Sequence, residues 1–246
     1  MFEYQAPAQL LEGRTILVTG AGSGIGKAAA LTYARHGATV ILLGRQTHLL
    51  EQVYDEICAH QPRRPVIVTL DLETLTPAQC DQLKEQISGE FGRLDGLLHN
   101  AGQLGRLGPL GQYDPAVWQQ VMQVNVTATF LLSRALLPLL RAAEMGSVVF
   151  TTSSVGQRGR AHWGAYAVSK FAVEGLMQVM ADEEDGASSV RCNAINPGAT
   201  RTAMRASAYP AENRDALASP ERLMPLYLYL MGRDSQHENG QVLSAQ

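Results

Sequence analysis

The sequence predicts an α/β fold: an open parallel sheet of about seven strands, doubly wound, with helices on both faces. Three observations predict it. Short continuous apolar runs alternate with longer segments of helical pattern along the whole chain. The runs lack polar alternation, as strands covered on both faces do. Most glycines fall at the turns between these segments, and neither a linker nor an internal repeat interrupts them. At 246 residues, one domain spanning 1–246 is the expectation, long enough to bury a substantial core.

The elements follow in order. Thr15–Thr19 is a short apolar strand, and residues 20–26 form a glycine-rich turn. Residues 27–36 read as a helix stopped by Gly37. Residues 39–43 are strand two, and Thr47–His60 a helix closed by Pro62 and Pro65. Residues 66–70 are strand three, and 76–91 a helix with Pro77 at its first position. Residues 94–99 are strand four, and 115–143 a long helical region of one or two helices. Ser147–Thr151 is strand five, Gly164–Glu184 a helix, and 190–195 strand six. Residues 199–219 lack clean periodicity and read as a mobile substrate loop with short helical pieces. Residues 220–231 make the last helix and 241–243 a short last strand.

Composition narrows the classes of function. A net charge of −3 argues against nucleic acid or an anionic membrane surface as the main partner. Cys58, Cys80 and Cys192 are odd in number and well separated, which disfavours a disulfide framework and suits a reducing cytoplasm. The six histidines show no metal-ligand spacing, so no metal is expected. The most apolar stretch, residues 124–150, is broken by Arg134, Pro138, Arg141 and Glu144, so it reads as a buried helix and strand and no membrane span is expected. Residues 1–13 show no basic-then-apolar leader.

The glycine turn carries the first chemistry. Gly20, Ser23, Gly24, Ile25 and Gly26 lie between strand one and a helix. In that context glycines let the backbone approach a pyrophosphate, and the helix N-terminus supplies N–H donors. The spacing Gly-x-x-x-Gly-x-Gly differs from the commonest Rossmann pattern. At the end of strand two, where NAD sites usually hold an acid for the ribose 2′-hydroxyl, stand Gly44 and Arg45. A guanidinium suits a 2′-phosphate, so NADP(H) is favoured over NAD(H). Asp71, just past strand three, is placed for the adenine ring or as a turn cap.

The second signal is Tyr166 and Lys170. Four apart on a helix, they share a face at about 5–6 Å between Cβ atoms. A cation so placed favours a phenolate, which would bring Tyr166 toward use as a general acid or base.

Together with Asn100-Ala101-Gly102, Asn125, Ser153 and Pro197-Gly198, these motifs make the chain resemble the short-chain dehydrogenase/reductase family over essentially its whole length. Residues 149–156, 163–170 and 196–207 resemble in particular the YciK-type oxidoreductases of Gram-negative bacteria. The resemblance implies that Tyr166 exchanges a proton with a substrate oxygen and that Lys170 lowers its pKa and binds the nicotinamide ribose. It implies that Asn125 holds a water linking Lys170 to solvent. The serine thirteen residues before the tyrosine is Ser153, expected to hold the substrate oxygen, with its neighbour Ser154 as the competitor. Asn100, Ala101 and Gly102 would flank the cofactor, Pro197 and Gly198 would turn beneath the nicotinamide, and Thr200 or Thr202 would bind its carboxamide. The resemblance also implies a homodimer or homotetramer with the Gly164–Glu184 helix at one interface.

For the substrate, Arg158, Arg160 and Arg205, with His162 and Trp163, would select an anionic or polar molecule, or else Arg158 and Arg160 are solvated loop charges or subunit contacts. Met204 and Tyr209 would supply apolar walls or simply pack. Residues 223–231 are core or a subunit contact. The function expected is hydride transfer between NADP(H) and a carbonyl or alcohol. A non-catalytic NADP(H) sensor is the alternative, disfavoured because Tyr166 and Lys170 are both present. An epimerase or dehydratase with tightly held NAD is disfavoured by Gly44-Arg45 and the short chain.

Overall fold

The computed structural model describes residues 1–246. Its seven strands are β1 (Thr15–Thr19), β2 (Thr39–Gly44), β3 (Val66–Thr69), β4 (Gly96–His99), β5 (Ser147–Thr151), β6 (Arg191–Asn196) and β7 (Val242–Ser244). They form one sheet in the order β3-β2-β1-β4-β5-β6-β7, every pair parallel. The chain builds outward from β1 in one direction, then returns to β4 on the other side. Such a reversal leaves a crevice at the carboxyl ends of the central strands.

The helices are α1 (Gly24–Arg35), α2 (Thr47–His60), α3 (Pro77–Phe91), α4 (Pro115–Met122), α5 (Ala128–Arg141), α6 (Gly164–Glu184), α7 (Ala203–Ala208) and α8 (Met224–Met231). Strand side chains alternate between the two faces. Ile16 and Val18 of β1 join the cluster formed with α1, α2 and α8, and Leu17 joins that formed with α3, α5 and α6. Leu223, Leu226, Tyr227 and Leu230 are buried against α1, so the core reading of this segment holds.

Local sequence accounts for several boundaries. Thr76 caps α3 in a reciprocal pair with Gln79, Pro77 follows as the first helical residue, and Gly92 closes the helix in the left-handed region at φ +73. Gly24 and Gly26 lie inside α1 rather than before it. The long helical region is two α-helices, within the expected one or two, joined by a π-helical turn, Gln123–Thr127. Pro115–Arg141 as a whole is long and apolar enough to cross a membrane by composition. Its apolar side instead packs in the core with the sheet through Val124, Ala128, Leu132 and Leu136.

His99, at the end of β4, is buried, shares a 2.8 Å hydrogen bond with the Ser133 hydroxyl and stacks on Phe150. Burial lowers its pKa to about 3. As pH falls below the usual 6.5, the unfolded chain takes up a proton that the folded chain refuses, so this contribution to stability is whole above that pH and is lost as pH falls. Urea unfolding between pH 7.5 and 5 should show the parent protein losing about 2 kcal/mol more at pH 5 than His99→Asn does. Equal losses would contradict the assignment.

Candidate active site

A groove runs along the carboxyl ends of the central strands. One stretch is lined by Ser23, Arg45, Asp71 and Gln103, the other by Ser153, Trp163, Tyr166, Lys170 and Thr202. Gly20, Ser23, Ala101 and Gly102 line both, so the two are continuous.

The glycine turn at the centre is held by close approach. The Thr19 hydroxyl accepts from the backbone N–H groups of Asn100 and Ala101, each at 3.0 Å. The Asn100 side chain donates to Thr19 O at 3.4 Å. A Cβ on Gly20 would meet Ala101 Cα at 3.1 Å, and one on Gly26 would lie 2.2 Å from Gly20 O. Gly20 and Gly24 also take positive φ, +68 and +53. Ser23 caps α1 without a side-chain hydrogen bond, so the first N–H donors are left for a ligand. A glycine cradle closed on both sides, at an uncapped helix start, fits a dinucleotide pyrophosphate.

At the far end, Arg45 is mostly exposed, lines the groove and stands 4.0 Å from Glu73. Asp71 lines the same wall, and its Oδ1 accepts from Glu73 N at 3.0 Å, so it shapes its own turn as well.

At the other end, α6 carries Tyr166 and Lys170 on one buried face. Lys170 Nζ donates to Thr151 O at 2.7 Å and lies 5.5 Å from the Tyr166 ring centre. Ser153 lines the groove beside Tyr166 and acts to lower its pKa, whereas Ser154 is exposed and opens the 3-10 turn Ser154–Gly156. The electrostatics differ from the sequence expectation. Burial pushes Tyr166 up to about 12, with Ser153 pulling it the other way. Burial also lowers Lys170 to about 8, opposed by Glu174.

Asn125 sits in the π-helical turn, where widened backbone spacing is frequent at functional sites. Its Oδ1 accepts from Gln103 N at 2.7 Å, and its Nδ2 donates to Gln103 O at 3.0 Å and Ser169 Oγ at 2.9 Å. The side chain is therefore fully engaged, which leaves the backbone carbonyl, already accepting from the Thr129 hydroxyl, as the atom for any water. Gly102 joins this group: a Cβ there would lie 3.4 Å from Asn125 Oδ1 and 3.8 Å from Lys170 Nζ.

Pro197, Gly198, Thr200 and Thr202 line the same end, with Ile25 opposite. Gly198 takes φ +69, and Gln246 Nε2 donates to Pro197 O at 2.6 Å and Ala199 O at 3.1 Å. Thr200 Oγ1 turns back to Pro197 O and Gly198 O, while Thr202 caps α7 and faces Gly24.

The substrate residues separate. Met204 and Arg205 line the groove, and Arg158 and Arg160 do not. Arg205 is held in a two-point pair with Glu212, at 2.7 and 2.6 Å, so its charge is already matched. Arg160 donates to the Tyr209 hydroxyl at 2.7 Å and lies over the rings of Trp163 and Tyr209. Trp163 in turn packs on Tyr166, with ring centres 5.7 Å apart. Sequence reasoning missed Leu104 and Ala208, which line this end. It also missed Tyr113, whose ring fills the space beside Gly164 at the start of α6. Neither set carries a spacing signal, because Leu104 and Tyr113 come from loops and Ala208 from the six-residue α7.

A glycine-lined groove at the switch point of a doubly wound sheet, with a buried tyrosine and lysine at one end, is the architecture of a nucleotide-dependent oxidoreductase. Comparison with known proteins agrees. The model of the short chain dehydrogenase family matches residues 14–213. The oxidoreductase YciK of Escherichia coli (strain K12) is 56% identical over 243 residues, covering 99% of this chain and 96% of that protein. A short chain dehydrogenase structure from Pseudomonas syringae superposes with TM-score 0.98 at 57% identity over the full length of both chains. One from Shigella flexneri 2a strain 301, in complex with NADP, gives TM-score 0.95 at 56% identity over 98% of this chain and 100% of that one. The chain belongs to the short-chain dehydrogenase family of oxidoreductases, and its similarity to the YciK-type members bears out the resemblance read from the motifs.

The tight cradle gives a direct test. Gly26→Ala forces a methyl into Gly20 O and should cost about 1–3 kcal/mol of stability. Nucleotide binding, followed by quenching of tryptophan fluorescence, should weaken at least as much. Unaltered binding and melting temperature would contradict the close approach.

Proposed function

We propose that this chain is an NADP(H)-dependent oxidoreductase that moves hydride between nicotinamide and a carbonyl or alcohol, with Tyr166 as general acid and base. The observation carrying this reading is the continuous groove that joins the glycine cradle to Ser153 and the buried Tyr166 and Lys170. The solved Shigella flexneri relative holding NADP supports the cofactor, and Arg45 at the ribose end supports the phosphorylated form.

The nicotinamide supplies or accepts the hydride. The protein supplies the proton and the geometry. Ser153 holds the substrate oxygen beside the Tyr166 hydroxyl. In reduction, Tyr166 donates its proton to that oxygen as the carbonyl carbon gains hydride. A phenol held near 12 is a reluctant base but a competent hydrogen-bond donor, so its protonated form suits reduction. In oxidation the phenolate is required, and the positive oxidised nicotinamide and Lys170 both favour it. Lys170 also binds the nicotinamide ribose. Proton recovery runs through Lys170 toward the Asn125 carbonyl and a water there. Asn100, Ala101, Gly102, Ile25 and the Pro197-Gly198 turn hold the cofactor, with Thr202 the better placed of the two threonines for the carboxamide.

The unit is a single domain, with residues 199–219 shaping the substrate end. Phe130 on α5 and Val168, Phe171 and Val179 on α6 are large apolar side chains left exposed, which supports a homodimer or homotetramer joined through these helices. The free cysteines support a reducing, cytoplasmic setting.

NADPH oxidation over a panel of ketones, aldehydes, sugars and acyl thioesters tests the reading. Tyr166→Phe should lose about 10²–10⁴-fold in kcat while keeping NADPH binding. NADPH binding by the parent protein without turnover on any compound would favour the sensor instead. Arg45→Ala should weaken NADPH binding about 10–100-fold and leave NADH nearly unchanged. Equal effects on both nucleotides would overturn the assignment of Arg45 to the 2′-phosphate.

A further inference from the structure

One buried acid beside the groove has no part in the reaction described above. On α6, Tyr166, Lys170 and Glu174 follow at intervals of four and lie on one face. All three are more than nine-tenths buried. Each meets the end of β5: Tyr166 meets Ser153, Lys170 Nζ donates to Thr151 O at 2.7 Å, and Glu174 Oε1 accepts from the Thr152 hydroxyl at 2.6 Å. The carboxylate lies directly under the turn that follows Ser153. A Cβ on Gly156 would stand 2.7 Å from both Glu174 Oε1 and Thr152 Oγ1. This is why a glycine closes that turn.

A buried carboxylate is costly unless a charge or several donors meet it. Thr152 is its only hydrogen-bond donor, and its only charged neighbour is Lys170 on its own helix. Lys170 in turn has no acid acting on it except Glu174. Facing the ammonium from elsewhere are the Thr151 carbonyl of β5, the Tyr166 ring, and the Gly102 backbone of the loop after β4. Nothing else in the site brings negative charge to the lysine.

We propose that Glu174 is a positioning residue of this site: through Thr152 it fixes the strand end that presents Ser153, and its carboxylate is the counter-charge that holds Lys170 as an ammonium. The inference rests on the proposed roles of Tyr166 and Lys170. The pair works in both directions, since Thr152 and Lys170 oppose the burial that raises the Glu174 pKa, while Glu174 opposes the burial that brings Lys170 to about 8.

The chain has three lysines, Lys27, Lys84 and Lys170, so ¹³C-lysine labelling gives few and assignable Cε signals. Titration of these signals reads the charge of Lys170 with no substrate present. Glu174→Gln keeps an acceptor for Thr152 and removes the charge. Its Lys170 midpoint should fall by about one unit, a tenfold loss of proton affinity, with Lys27 and Lys84 unmoved. The alkaline limb of kcat/KM for NADPH-dependent reduction should move down with it. Thr152→Val keeps the charge and removes the hydrogen bond, so it should lower kcat at every pH without moving the Lys170 midpoint. An unmoved Lys170 midpoint in Glu174→Gln overturns the counter-charge role, and parent-like kcat in Thr152→Val overturns the positioning role. Absence of turnover by the parent protein would defeat the proposed function, and the Lys170 titration would still decide whether Glu174 acts on Lys170.

Discussion

The site depends first on one hydroxyl. Thr19 ends β1, the strand from which the chain departs in both directions across the sheet. Its Oγ1 accepts from Asn100 N and Ala101 N and donates to Leu98 O at 3.3 Å, so it sews the end of β1 to the end of β4. Without that stitch the two strands would diverge at the point where the crevice opens. The glycine turn is laid on this join, and Gly26 must lack a side chain because Gly20 O already occupies the space. The cradle is thus a consequence of strand order and of two close contacts, rather than of glycine content as such.

The reacting end obeys a different constraint, the removal of water. Tyr166, Lys170 and Glu174 are all placed where ionisation costs more than it does in solvent. A tyrosine raised to about 12 and a lysine lowered to about 8 move apart, so loss of the phenol proton is uphill in the protein alone and needs the added charge of a positive nicotinamide. Burial that hinders the phenolate in the protein alone therefore strengthens every interaction that favours it in the complex. His99 carries the same cost one strand away with no charge partner at all, and it remains neutral.

Much of this was legible in the sequence, and the reasons differ by element. Strands β1, β2 and β5 announce themselves as continuous apolar runs because both their faces are covered. The α3 boundaries follow from Thr76, Pro77, Gln79 and Gly92, which act locally. The π-helical turn at Asn125 was not legible, since helical periodicity tolerates one extra residue in a turn. The raised pKa of Tyr166 was missed because spacing gives the distance to Lys170 and not the depth of burial. Glu174 was invisible for a related reason. Four residues beyond Lys170 on a helix, it looks like an ordinary ion-pair partner, and only the fold turns that face toward β5.

The same limit governs the substrate end, where charge on the sequence and charge offered to a ligand differ. Arg205 reaches the groove, yet Glu212 already holds both arms of its guanidinium, and its face lies 3.8 Å from the Tyr209 ring centre. Arg160 is drawn into the same cluster by Tyr209 and Trp163. An anionic group entering here would have to displace Glu212, losing a two-point pair to gain one of the same kind. The exchange is close to neutral, so this cluster acts first as a clasp that pins the loop carrying Tyr209 to the loop carrying Trp163. What lines the groove next to Tyr166 is Leu104, Trp163, Met204 and Ala208, an apolar surface that offers shape rather than charge. Selection by shape depends on loop backbone, which neither the periodicity of the sequence nor the order of the strands determines.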